Sequence, residues 1–228
     1  MNSEQNQRDR QARRLRRISL IYGTMALFII PVYTLLYACQ GDLITENMSI
    51  VGGSMGGYRG LVFWGVISGL FYLGFALYLF VLTRFTNTRV RRMLFAGCAM
   101  LILTTILPFV PDVWPKAAQL HNFFAMAAPI VMILTMYFFV FHLAGYDRTV
   151  YRRALVSLNT MVLISALLLF FTGTSGLLEV VVTVGMCGFL FMLLVWLAHS
   201  EHMDLVKAMQ EAEDRYNERR NKRYRKNN

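Results

Sequence analysis

The sequence predicts an all-α fold, a polytopic bundle of six transmembrane helices, and three observations carry that reading. Of 228 residues, 56% are hydrophobic and only 16% charged, against roughly 25% charged in an average soluble domain. The apolar residues gather in six long blocks instead of recurring at helix or strand period. Basic residues fill every second gap between those blocks. Disorder is excluded by this composition, and a separate soluble domain has no room, since six spans of about 21 residues use nearly the whole hydrophobic complement.

The first block, 18–38, follows an arginine-rich segment; the others lie at 61–83, 93–110, 118–142, 154–173 and 176–198. At about 1.5 Å per residue each crosses a hydrocarbon core of about 30 Å, the third only just. Pro31 and Pro129 fall inside spans and are expected to kink them, because proline removes a backbone donor. Pro108, Pro111 and Pro115 frame the turn between the third and fourth spans. Gly173-Thr174-Ser175-Gly176 joins the fifth to the sixth and is long enough only for an antiparallel hairpin. Trp64 and Trp114 are expected at the outer interface and Trp196 at the inner one, as helix-end anchors. The chain thus divides into a basic tail (1–17), a membrane domain (18–198) and a second tail (199–228). In that last segment Val206, Met209, Ala212 and Tyr216 recur at helical spacing, which predicts a cytoplasmic, amphipathic helical extension.

Orientation follows from charge. Of the 23 Lys and Arg residues, all but Arg59 and Lys116 lie in 1–17, 84–92, 147–153 or beyond Ser200. The positive-inside rule then places both termini in the cytoplasm, as an even number of spans requires, and the expected location is the plasma membrane. The net charge of +10 reads as topology and as attraction to anionic headgroups, not as a nucleic-acid surface, because the basic residues are spread along one membrane face. Leu36-Tyr37-Ala38-Cys39 looks like a lipoprotein cleavage box. The apolar run before it is longer than the roughly 7–15 residues of a signal core, and Tyr37 is bulky for that position, so retention of the first span is expected. Cys98 and Cys187 fall in spans and Cys39 outside them, so no disulfide is expected.

The candidate chemistry concentrates at the outer face. Asp112 sits in the proline-framed turn, and His121 and Asn122 open the fourth span. Ala125 and Ala128 share a helical face with His121, which directs the imidazole into the bundle. Glu179 lies at similar depth, and Glu46 and Arg59, with Asp42, belong to the first outer loop. Together these define a candidate outer polar pocket, since ionisable groups near the bilayer are expensive to leave unpaired. Singly, Glu179 is explained by the helix dipole and Asp112 by the turn. No catalytic residue is assigned. Gly52-Gly53-Ser54-Met55-Gly56 has the G-x-S-x-G spacing without the strand-to-helix context that motif needs. Ser175 could join His121 and Asp112 in a Ser-His-Asp set, though glycine and serine are ordinary turn residues.

At the inner face, His142, His199 and His202 have spacings that suit a metal, but histidine also favours helix C-termini, so no metal or other cofactor is assigned. Gly65 and Gly69 form a GxxxG face for close packing within the bundle or in a homo-oligomer. The terminal run Arg219, Arg220, Lys222, Arg223, Arg225 and Lys226 is a candidate site for anionic lipid headgroups.

Glu46-Asn47-Met48-Ser49 with the glycine-rich stretch that follows, Leu107-Pro108 through Asp112, and Leu120-His121-Asn122 carry a resemblance. On these residues the chain resembles a bacterial family of six-helix membrane proteins distantly similar to the DRAM and Frag-type proteins. The resemblance implies a non-catalytic role in membrane-lipid organisation and supplies no active site to transfer. A small proton-coupled transporter or ion-conducting protein using His121, Asp112 and Glu179 is the second reading, disfavoured by the lack of charges through the bilayer middle and of an internal repeat. An intramembrane serine hydrolase is the third.

Overall fold

The computed structural model describes residues 2–54, 57–200 and 214. Among these the secondary structure is entirely helical: α1 (Asn2–Thr24), a π-helical turn (Met25–Ile29), α2 (Ile30–Ala38), α3 (Met48–Ser54), α4 (Tyr58–Leu82), α5 (Thr88–Ile106), α6 (Pro115–Leu143), α7 (Arg148–Thr172) and α8 (Gly176–Ala198). Five rods are long and apolar enough to cross a membrane: Ala12–Ala38, α4, α6, α7 and α8. The protein is therefore read as an integral membrane protein. The expected helical extension and all six basic residues of the terminal run lie outside the described residues.

α1, the π turn and α2 form one rod. Pro31 cannot donate to the ladder and its ring crowds the carbonyl one turn earlier. The chain accommodates it by widening the preceding turn, where the Ile30 N–H reaches back to the Met25 carbonyl. The rod begins well before the apolar block, because a polar helical segment leaves no trace in hydropathy.

The third block needs correction. The helix there runs Thr88–Ile106 and not 93–110. Asn87 caps it, accepting from the Arg89 and Val90 amides at 3.0 and 3.3 Å. Leu107 ends it in an extended conformation, as a residue before proline prefers. Asp147 caps α7 in the same way, through Thr149 and Val150 at 2.8 and 3.1 Å. α4 stops at a Schellman turn: Phe85 N–H bonds the Phe80 carbonyl at 2.8 Å and Arg84 N–H that of Val81 at 3.2 Å. Arg84 takes the left-handed conformation this turn requires, at φ 55°.

In the bundle α5 lies between α4 and α6, while α8 packs against α7 and the α1–α2 rod. The main core joins Phe75, Leu79 and Phe80 of α4, Leu94 of α5, Phe139 and Leu143 of α6, Leu158 of α7 and Leu190 and Leu193 of α8. Gly65 and Gly69 face α5: a Cβ would stand 2.2 Å from Thr105 Oγ1 at the first and 2.7 Å from an Ile102 side-chain carbon at the second. Of the two packings the GxxxG face allows, the one within the bundle is present. Trp64 is also corrected. It is only 8% exposed, and its indole N–H donates to Thr34 Oγ1 at 2.8 Å inside the bundle, so it is no interfacial anchor. Trp114, 62% exposed, can serve as one.

A second core cluster closes the end of the bundle that carries loops 39–47, 107–114 and 173–175. It comprises Tyr37, Ala38, Met48, Val51, Leu61 and Trp64. Two of these belong to α3, a helix the hydrophobic pattern did not announce.

Candidate functional site at the loop-bearing end of the bundle

α3 is seven residues long with two glycines, so intrinsic propensity does not hold it. Its contacts do. Asn47 Oδ1 accepts from Ile50 N–H at 3.0 Å at its start. Met48 and Val51, both 1% exposed, insert one face into the bundle end. Gly52 lies against Leu61 and Tyr37, and a Cβ on Gly53 would meet the Phe109 carbonyl at 3.1 Å. The glycine pair is thus explained by close approach of α3 to α4 and to the 107–110 loop.

Glu179 fastens this loop from below. One of its carboxylate oxygens accepts the Met48 N–H at 2.7 Å, across 131 residues of sequence. Glu46 contributes mainly through its backbone: its carbonyl accepts Gly176 N–H at 2.8 Å, and the Leu43 carbonyl accepts Leu177 N–H at 2.7 Å. The Glu46 carboxylate accepts the Asp42 N–H at 3.1 Å. Asp42 accepts from Ile44 and Thr45 at 2.8 and 2.9 Å. Those amides, Thr45 first, hold its carboxyl below the usual carboxylate range.

His121 is 1% exposed, on the same inward face as Ala128 and half-buried Ala125. Nδ1 lies 2.9 Å from the Leu107 carbonyl and Nε2 lies 2.8 Å from Ser49 Oγ. The Phe109 ring stands beside it, centroid to centroid 5.3 Å. A carbonyl cannot donate, so Nδ1 carries the proton and Nε2 accepts from the Ser49 hydroxyl. Next to Ser49 a cleft of about 190 Å³ opens, walled by Gly52, Gly53, Tyr58, Leu61 and residues 107–110. The Tyr58 hydroxyl donates to the Ile106 carbonyl at its edge.

The expected pocket residues therefore separate into two groups. His121, Glu179 and Glu46 are engaged in holding or meeting the 42–54 segment, whereas Asp112, Asn122 and Arg59 are exposed. The partners of His121 are backbone carbonyls, Leu107 with Thr104 also in reach, and the Ser49 hydroxyl, not Asp112 or Glu179. Ser175 is buried as the cap of α8, accepting from Leu178 N–H at 3.3 Å and sharing a 2.8 Å hydrogen bond with Thr172. It is not the serine that meets His121. Sequence reasoning missed Ser49 in that role; the one signal was its place in a polar motif ahead of two glycines.

At the opposite end His142 Nε2 lies 3.4 Å from the Thr83 carbonyl, and His199 Nδ1 lies 2.8 Å from that of Val195. Both serve helix ends, as the dipole favours. His202 lies outside the described residues.

Comparison with known proteins adds no relative: no family model matches the chain, and no curated protein and no solved structure is significantly similar to it.

Proposed function

We propose that this is a six-span plasma-membrane protein with both termini in the cytoplasm, serving membrane-lipid organisation by engaging a lipid at its outer end. The DRAM- and Frag-like resemblance belongs to this proposal. Five rods qualify as spans by length and composition. For α5 the support is its pairing with α4, which does qualify. The end of α5 meets the start of α4, where Tyr58 bonds Ile106, and Arg91 at its beginning donates to the Phe85 carbonyl just beyond the α4 terminus. A helix tied at both ends to a spanning neighbour crosses the same thickness. Its three arginines then fall at the cytoplasmic surface with the other basic loops, as the positive-inside rule asks.

The observation that carries the lipid reading is the cleft itself: largely apolar walls with Ser49, bonded to His121 behind it, at one side, at the helix ends where headgroups meet hydrocarbon. Extraction of the protein in lipid-preserving polymer particles, followed by mass spectrometry of the bound lipid, tests it. A lipid enriched over the surrounding membrane is expected. Leu61→Trp, which fills the cleft, should reduce that enrichment several-fold. An identical lipid complement in both proteins overturns the reading.

A further inference from the structure

We propose that Ser49 and His121 are a nucleophile and its general base, and that the cleft beside them takes the ester carbonyl of an acylated amphiphile. This rests on the lipid reading above and replaces the expectation of a non-catalytic role.

The geometry meets the requirements for such a pair. The base lies within hydrogen-bond reach of the hydroxyl, at 2.8 Å, and is itself oriented by a third group, the Leu107 carbonyl at 2.9 Å. A carbonyl acceptor on Nδ1 selects the tautomer whose Nε2 lone pair faces Ser49, the task a carboxylate performs in a triad. Ser49 is 9% exposed and lines the cleft, while His121, 1% exposed, is shielded behind it. Among the described residues no carbonyl accepts from the Phe109 N–H, and Phe109 lines the cleft. That amide is the donor the proposal assigns to a developing oxyanion. Anchorage of α3 does not require the serine, because Glu179, the Leu43 and Glu46 carbonyls, Met48 and Val51 already hold that segment.

The chemistry follows from these positions. Ser49 Oγ attacks the acyl carbon, its proton passes to His121 Nε2, and the other ring proton stays on Nδ1, hydrogen-bonded to the Leu107 carbonyl. Collapse of the tetrahedral intermediate breaks the ester C–O bond, and the leaving alcohol takes the proton from Nε2. Water then attacks the acyl-Ser49 ester with Nε2 as base, releasing the acid and restoring the serine. Ester and water become acid and alcohol, with no other reactant. An ester of a bilayer amphiphile suits the place, because its carbonyl lies at the boundary of headgroup and hydrocarbon. About 190 Å³ holds the carbonyl and adjoining methylenes but no complete lipid, so the acyl tail remains in the membrane.

The full-length protein in nanodiscs, treated with an alkyl fluorophosphonate and mapped by peptide mass spectrometry, tests the proposal. An adduct on Ser49 is expected, absent in Ser49→Ala and formed at least tenfold more slowly in His121→Gln, whose amide preserves much of the packing. The labelling rate should fall as imidazole protonates. Asp112→Asn should label like the parent, since that carboxylate is exposed in its turn. A folded parent protein without a Ser49 adduct at saturating probe overturns the proposal, as does a rate indifferent to pH through the imidazole range. Enriched lipid in the cleft without any adduct removes the catalytic pair and leaves the lipid reading standing; an adduct without enriched lipid does the reverse.

Discussion

Glu179 illustrates what a single half-buried carboxylate does here. It lies in the first turn of α8, where the helix dipole favours negative charge, and its partner is the Met48 amide at the start of α3. Removing the side chain leaves that amide without its acceptor, a loss of about 1–3 kcal/mol for a buried donor. Glu179→Ala is therefore expected to speed amide hydrogen exchange across residues 42–54. Glu179→Gln, which keeps an oxygen in place, should change it much less. Equal exchange in the alanine variant and the parent would show that the loop is held by other contacts alone. Ser49, in the same segment, faces His121 only because that loop is docked.

Between elements, packing is decided by volume. α4 and α5 approach closely because Gly65 and Gly69 leave room for Thr105 and Ile102. Gly65→Val would drive side-chain carbons into Thr105, and overpacking of this kind costs about 1–3 kcal/mol. A clear drop in thermal unfolding temperature in detergent is the expected result. Gly188 is the control: beyond its own helical turn nothing lies within 4 Å of a Cβ built there, so Gly188→Ala should be neutral or slightly stabilising. If both variants behave alike, the close approach of α4 and α5 does not govern stability.

At the scale of the molecule the governing quantity is the distribution of charge across the bilayer. With 23 basic residues and all but Arg59 and Lys116 on one set of connections, reporter fusions after Asn228 and within the 40–47 loop should report opposite sides of the membrane. The same side for both would end the six-span reading. The terminal basic run should strengthen contact with anionic lipid by about 1 kcal/mol per nearby Lys or Arg, an attraction that weakens with salt. A peptide covering 200–228 is expected to bind anionic vesicles at low ionic strength and to leave them at high. Equal binding to neutral vesicles would exclude the electrostatic account.

The sequence by itself determined the helical class, the apolar rods and which connections carry positive charge, since bilayer thickness and charge cost act on each segment separately. The last rod was legible to the residue, 176–198, because a capping serine and a tight glycine turn coincide with the start of the apolar run. The third was displaced by five residues at its start. Hydropathy counts against Arg89, Arg91 and Arg92, although the Asn87 cap was available to be read. α3 was not legible at all: seven residues with two glycines have no helical pattern of their own and gain order from Leu61, Tyr37, Phe109 and Glu179. The candidate site follows the same division. His121 could be directed inward from its alanine face, but its partner lies 72 residues away on that short helix. Only the tertiary structure decided that Ser49, and neither Ser175 nor Asp112, meets the imidazole, because periodicity is a property of one segment and a hydrogen bond between segments depends on which of them the bundle makes neighbours.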